Sequence, residues 1–260
     1  MGKIFSSIIP NPQNIFTLDE SLLESIKHYV YKGCNWFINI KDPTKKTVII
    51  FHGARNDEIP IPIFRGADFK INDNLISIGD MLYNQYDSPP RIFLGWYLNT
   101  KKYNNTPVYT EIITLIKKWC KNKILFCATS GGGFASIYFA SLFRSNCLIG
   151  NPQIYLQKYP YYPNFIEILG KNNDCPDFKD LTEYIEENGF PNLIVYYINK
   201  KDLHHHDDHF IKFRNFCKNK NINLIDHIVD IDLNPHSNPW PVDKKMVNII
   251  EETLELLDGK

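Results

Sequence analysis

From residue 47 onward the chain alternates short β-branched or aromatic runs with longer amphipathic patterns. That alternation is the signature of a mostly parallel sheet covered by helices on both faces, and it fixes the expected class as α/β. The predicted strands cover residues 36–40, 47–51, 75–78, 91–96, 123–128, 147–150, 193–198 and 224–230. Most lack alternation at period two, as strands buried on both faces do. The predicted helices cover residues 21–31, 108–121, 132–143, 177–188, 208–219 and 242–257. In the last of them Met246, Ile249, Ile250, Thr253, Leu254 and Leu257 recur at helical spacing. The 260 residues contain no Ser/Gly linker, charge block or internal repeat, so a single domain over 1–260 is expected. The Tyr- and Pro-rich stretch 155–173 has no clear period and places a lid or insertion around 155–190.

Composition excludes several function classes. With 29 basic and 29 acidic residues the formal charge is +0, so nothing draws the whole chain onto a phosphate backbone, and no nucleic-acid partner is expected. No apolar run approaches the roughly 18 residues of a membrane helix. The run 4–9 stops at Pro10 and is too short for a signal peptide. Residues 1–6 match an N-myristoylation pattern, but a match with three free positions is too unspecific to carry an anchor. Cys34, Cys120, Cys127, Cys147, Cys175 and Cys217 stand singly, without a C-x-x-C pair, which points to a reduced, cytoplasmic setting. The aromatic content of 14% fits a filled core and also a site for a polar organic ligand such as a sugar.

The sharpest local signal is the apolar run Ile124-Leu125-Phe126-Cys127-Ala128 leading through Thr129 to Ser130-Gly131-Gly132-Gly133-Phe134 and an amphipathic pattern. It reads as a nucleophile elbow, a strand-to-helix turn so sharp that the serine needs small neighbours two residues before and after. Ala128 and Gly132 supply them, with Ala128 replacing the usual first glycine. The helix start that follows aims backbone N–H groups at the reaction centre, so Gly131 is a candidate oxyanion donor. A phosphate loop is the rival reading, but no Lys-Ser/Thr follows and G-x-G-x-x-G is absent. A purely structural glycine turn is the other.

A serine is a weak nucleophile until a base takes its proton and a third group orients that base. Asp202 follows the predicted strand 193–198, at the carboxyl end where open α/β sheets place their sites. His236 stands in Asn234-Pro235-His236-Ser237-Asn238-Pro239, before the last helix, and is the expected base. Asp207 and Asp208 are substitutes for Asp202. The run His204-His205-His206-Asp207-Asp208-His209 invites a metal reading, but consecutive residues cannot all converge on one ion and no H-E-x-x-H exists. A solvated loop and helix start capped by Asp207 or Asp208 is the expectation, with no metal site and with one histidine free to touch substrate. A second oxyanion donor is expected from the loop after the strand 47–51, at Ala54, with His52 and Arg55 as substrate contacts. Asn151 and Gln153 follow the predicted strand 147–150 on the same rim and are further substrate-contact candidates.

The segments Phe51-His52-Gly53-Ala54, Ser130-Gly131-Gly132-Gly133-Phe134, Asp202 and His236, in that order, resemble the α/β-hydrolase superfamily. Gly150-Asn151-Pro152-Gln153, Lys201-Asp202 and His236-Ser237-Asn238 resemble, more narrowly, the polysaccharide O-acetyltransferases of bacterial capsule loci that adopt this fold. The resemblance covers roughly residues 45–245. It implies an acyl-enzyme on Ser130, served by His236 and Asp202, with acetyl-CoA as co-substrate, no permanently bound cofactor and a carbohydrate acceptor. It also implies a cytoplasmic protein, or one peripheral to the inner membrane where polysaccharide is made. A longer N-terminal segment, the Gly95-Trp96-Tyr97-Leu98 stretch and the aromatic insertion near 155–162 depart from that pattern and leave the acceptor open. An esterase or deacetylase of the same fold, and a non-catalytic module of polysaccharide assembly, are the alternatives.

Overall fold

The computed structural model describes residues 12–24, 26–40, 42–55, 64–86, 91–232, 234–237 and 239–259. The myristoylation pattern, the 4–9 run with Pro10, and Asn238 lie outside the described residues. Two compact units divide the chain: Met1–Ile124 with Tyr161–Phe178, and Leu125–Pro160 with Lys179–Lys260.

In the first unit the strands are β1 (Gln13–Ile15), β2 (Ile26–Tyr31), β3 (Cys34–Asn39), β4 (Thr47–Phe51) and β5 (Asn74–Ile78), ordered β1-β2-β3-β5-β4. β2–β3 and β3–β5 pair antiparallel, while β1–β2 and β4–β5 pair parallel. The helix expected over 21–31 is instead a short 3₁₀ turn, Glu20–Glu24, followed by β2. The cause is the Lys32-Gly33 turn, with φ of 49° and 83°, the geometry that closes a two-residue hairpin between β2 and β3. His28 accordingly lies on a strand, bonded to Asn35 Oδ1 at 2.9 Å.

The strand expected over 91–96 does not form. Trp96 and Tyr97 have φ of 51° and 61°, and the segment bends around the buried carboxylate of Asp80, which accepts from the Tyr97 N–H at 3.1 Å. A Cβ on Gly95 would sit 2.7 Å from Asp80 Oδ2, so glycine is needed there. Asp80 also caps helix α1 (Met81–Gln85) by accepting from Leu82 N–H. Helix α2 (Thr106–Trp119) buries Val108, Tyr109, Ile112, Ile113, Leu115, Ile116 and Trp119 along one stripe.

The second unit opens with β6 (Ile124–Thr129), α3 (Gly131–Leu142) and β7 (Asn146–Gly150). The chain returns to the first unit for α4 (Tyr162–Lys171), within the stretch whose sequence shows no period. It re-enters with α5 (Leu181–Asn188), β8 (Leu193–Asn199), a π-helical turn (His204–Phe210), α6 (Ile211–Asn219), β9 (Leu224–Val229) and α7 (Met246–Asp258). Strands β6-β7-β8-β9 are parallel throughout. β7 and β8 are buried at every position, which is why their sequences read as unbroken apolar runs. Helix α5 starts later than expected because the Asp180 side chain caps it, accepting from Thr182 N–H at 2.9 Å. Five of the six cysteines are buried and Cys175 half-buried, none in a disulfide. Among the described residues no helix is long and apolar enough to cross a membrane.

Three glycines at the start of α3 weaken it by about 1 kcal/mol each relative to alanine, so at least one must serve a close approach. At Gly133 a Cβ would lie 2.5 Å from Pro152 Cβ and 3.0 Å from its Cα. Gly133→Ala is therefore expected to lower stability by about 1–3 kcal/mol. Gly170→Ala, where nothing lies within 4 Å, should raise it by roughly 0.5–1 kcal/mol. Denaturant titrations of both variants check the pair, and equal effects would refute the packing argument.

Candidate active site

Ser130 sits between β6 and α3 at φ 55° and ψ −130°, a conformation costing a non-glycine residue of order 1–3 kcal/mol. Both of its backbone ends are pinned. Its N–H donates to Gly150 O at 3.0 Å, and its carbonyl accepts from the N–H groups of Gly133 (3.0 Å) and Gln153 (3.2 Å). The strain is thus held by the neighbouring strand end and the first helical turn, and the hydroxyl stands clear of both. Gly131 begins α3, so its N–H belongs to the first turn, whose donors lack intrahelical acceptors.

Ser130 Oγ lies 3.5 Å from His236 Nε2, and His236 Nδ1 lies 3.1 Å from Asp202 Oδ2. Gln153, fully buried, donates from Nε2 to Ser130 Oγ at 3.1 Å, leaving the hydroxyl proton to point elsewhere. His236 is half exposed, whereas the Asp202 side chain is 9% exposed. Burial alone raises the Asp202 pKa, but the contacts with His205 and His236 outweigh it and hold the carboxyl well below the usual range. Asp207 and Asp208, the sequence's substitutes, face His206 and His204 respectively, so Asp202 is the carboxylate beside His236.

The loop bearing His236 is fixed from below. Asn151, fully buried with φ 41°, donates from Nδ2 to the carbonyls of Pro235 (3.0 Å) and His236 (2.9 Å) and lies 3.3 Å from Asp202 Oδ2. Its Oδ1 accepts from Asn199 N–H at the end of β8. The amide expected to meet substrate is engaged by protein groups on every side. Pro239 and Trp240 press on Gly150, where a Cβ would come within 2.7 Å, and Trp240 meets Tyr197 edge-on at 5.1 Å.

The histidine run departs from a solvated, carboxylate-capped start. It forms a π-helical turn with no side-chain cap, and His205 and His209 are buried. Two contacts impose this. His209 Nδ1 accepts from the backbone N–H groups of Ile154 (3.1 Å) and Tyr155 (3.0 Å). Its proton is therefore on Nε2, which faces His204 Nε2 at 3.3 Å, and His204 Nδ1 in turn meets Asp208. His205 Nδ1 lies 2.9 Å from Asp202 Oδ2, and its ring lies 4.5 Å from that of His236. The sequence signal for His205 was the Asp-x-x-His spacing, which faces both side chains one way on a helical turn. Among the described residues Asp202, His205 and His236 offer one ligand atom each within 4.8 Å of one another, a convergence drawn from two segments and invisible in the run itself.

In the first unit, Ala54 is exposed in the segment that follows β4. His52 is buried, with Nε2 accepting from Asp80 N–H (3.0 Å) and Nδ1 donating to Gly53 O (2.9 Å). Burial pushes its pKa down to about 4. Arg55 is buried too, its Nε donating to Ile92 O and its guanidinium 5.1 Å from the Tyr83 ring centre. Both side chains brace the loop from within.

The second unit thus sets a serine, an imidazole and a carboxylate within reach of one another at the carboxyl ends of parallel strands. No protein-family model matches the chain, and no curated protein matches it in sequence. Solved structures do share its fold. The capsule O-acetyltransferase of Neisseria meningitidis serogroup A is similar over 90% of this chain and 99% of its own, at 15% identity and a TM-score of 0.66. A structure of that enzyme in complex with CoA matches over 89% and 93%, at 15% identity and a TM-score of 0.58. An esterase of Pyrococcus furiosus matches over 98% of both chains, at 14% identity and a TM-score of 0.53. The fold is accordingly α/β-hydrolase-like.

Burial holds the His209 pKa down at about 3, so the folded protein resists a proton that the unfolded chain accepts near 6.5. Its contribution to stability is present above pH about 6.5 and is lost as the pH falls toward 3, on the order of 4 kcal/mol. His209→Gln keeps an acceptor for the Ile154 and Tyr155 N–H groups without a titrating ring. Its stability, measured by urea unfolding, is expected to fall less steeply than that of the unaltered protein between pH about 6.5 and 4. Parallel curves would show that His209 does not carry this dependence.

Proposed function

We propose that the protein is a serine acyltransferase that moves an acetyl group from acetyl-CoA to a hydroxyl of a surface polysaccharide. The observation that carries the reading is the contiguity of Ser130 Oγ, His236 and Asp202 at a strained, doubly pinned elbow. With Asp202 ionised and facing Nδ1, the His236 proton sits on Nδ1 and Nε2 is free to accept the Ser130 proton. The 3.5 Å separation is of the length such contacts show before substrate draws them together.

Ser130 Oγ attacks the thioester carbonyl while its proton passes to His236 Nε2. The oxyanion is held by the Gly131 N–H. The C–S bond breaks, the proton returns to the CoA sulfur, and the acetyl group stays on Ser130. An acceptor hydroxyl gives its proton to His236, attacks the ester carbon and leaves as the acetylated sugar, restoring Ser130. Similarity in fold to a capsule O-acetyltransferase, one of whose structures contains CoA, supports donor and acceptor alike. The use of acetyl-CoA supports a cytoplasmic site of action, in solution or at the inner face of the membrane. Water in place of the sugar makes the same site an esterase, a reading favoured by the 47% exposure of the His236 side chain and by the esterase of similar fold.

Intact-mass measurement after brief exposure to acetyl-CoA is expected to show one acetyl group, mapped to Ser130 and absent from Ser130→Ala. Asp202→Asn and His236→Ala should slow release of free CoA by roughly 10³- to 10⁴-fold. Full turnover in all three variants would overturn the catalytic reading and leave a binding module.

A further inference from the structure

We propose that Asp202, His205 and His236 form a site for a borderline divalent cation of the zinc type, and that its occupancy withdraws His236 from Ser130. The inhibitory half of the proposal rests on the acyl-transfer reading; the binding half does not. Zinc takes imidazole nitrogen and carboxylate oxygen at about 2.0–2.2 Å, which sets neighbouring tetrahedral ligands roughly 3.3 Å apart. Asp202 Oδ2 already lies 2.9 Å from His205 Nδ1 and 3.1 Å from His236 Nδ1. A shift of a few tenths of an ångström brings each nitrogen to that spacing from the oxygen, the two nitrogens must close on each other from a set of atoms that lie within 4.8 Å of one another, and three protein ligands leave the fourth position to water.

The second observation concerns His205 itself. It is 3% exposed, and neither of its ring nitrogens has a hydrogen-bond partner among the described residues. The 2.9 Å approach to Asp202 is short but poorly aligned for an N–H donor. A buried imidazole with both nitrogens unsatisfied, beside a carboxylate that already serves another histidine, is what a metal ligand looks like before its ion arrives. A triad needs one histidine on its carboxylate, and this site has two. The other buried histidine of the run does not compete, since His209 Nδ1 is occupied by two backbone N–H groups. His236 is half exposed and gives the ion a route in.

Coordination also explains inhibition without loss of a proton. Nδ1 of each ring must offer its lone pair to the ion, so the proton of each neutral imidazole moves from Nδ1 to Nε2. His236 Nε2 then becomes a donor and can no longer accept from Ser130 Oγ.

The test uses full-length, tag-free protein and Zn²⁺ alone, titrated calorimetrically near neutral pH against a chromophoric chelator. One ion per chain is expected, with equal affinity in Ser130→Ala. His205→Ala and His236→Ala should each bind at least about tenfold more weakly, the loss that even an outer-shell partner produces. His206→Ala, altered at a half-buried ring that faces Asp207 and Phe210, should bind as the parent does. Should His205→Ala fail to fold, His236→Ala removes an exposed ligand without opening the core. The rate of CoA release should fall in step with zinc occupancy and return on chelation. Absence of saturable binding, or binding unchanged in both histidine variants, overturns the site; binding without inhibition overturns the switch. Zinc binding at these residues in a protein that never acetylates Ser130 supports the site while refuting the acyl-transfer reading.

Discussion

Asn151, at the step where β7 ends, joins three parts of the second unit that are far apart in sequence. Its Oδ1 holds the end of β8 through Asn199 N–H, and its Nδ2 is shared between the carbonyls of Pro235 and His236 and the carboxylate of Asp202. A buried amide with these partners is inexpensive to keep and costly to break, because any one partner withdrawn leaves a polar group orphaned away from water. The residue also reaches this position only through a left-handed backbone, φ 41°, which asparagine tolerates better than most side chains. The spacing from Asp202 to His236, and hence from His236 to Ser130, depends on that one side chain.

The elbow poses the complementary problem of holding a conformation that the serine would not adopt alone. Its cost, of order 1–3 kcal/mol, is met by three backbone hydrogen bonds worth about 0.5–1.5 kcal/mol each. Two of them run to the β7 end and the segment that follows it, Gly150 and Gln153, so the nucleophile and Asn151 are fastened to the same stretch of chain. Gly133 packed on Pro152 closes the arrangement from the helix side. Residues 150–153 thus act as a common base: one carbonyl and one amide for the serine backbone, one side-chain amide for its hydroxyl, and one for the loop of the base.

That Ser130, Asp202 and His236 lie together could be read because each follows a local rule. A strand, a serine and glycines mark an elbow; a carboxylate and a histidine beyond later strand ends follow from parallel topology. The failures share another cause. The 91–96 segment has the composition of a strand, yet the buried Asp80 carboxylate demands donors and bends the chain to supply them. The 21–31 segment has helical spacing, but the Lys32-Gly33 hairpin turn overrides it. The histidine run was read as solvated because its polarity is local information, whereas the Ile154 and Tyr155 amides that bury His209 are tertiary. Asn151 and Gln153 were read as substrate contacts and make hydrogen bonds to protein groups, and no pattern in one sequence tells whether an amide faces a ligand or the protein.

Two imidazoles approach one carboxylate oxygen, and their surroundings separate their roles. Burial holds the pKa of His205 down, so it stays neutral and adds no positive charge beside Asp202. His236 leans on the same oxygen from the exposed side, and of the two rings it is the one whose Nε2 faces the Ser130 hydroxyl. On the proposed acyl-transfer reading, an imidazolium formed at His236 would lie 3.1 Å from the ionised Asp202 carboxylate. A protonated His205 would cancel that advantage by offering Asp202 a competing partner and His236 a like charge at 4.5 Å. On the proposed reading, the burial of His205 thus favours an imidazolium at His236, while His205 itself transfers no proton.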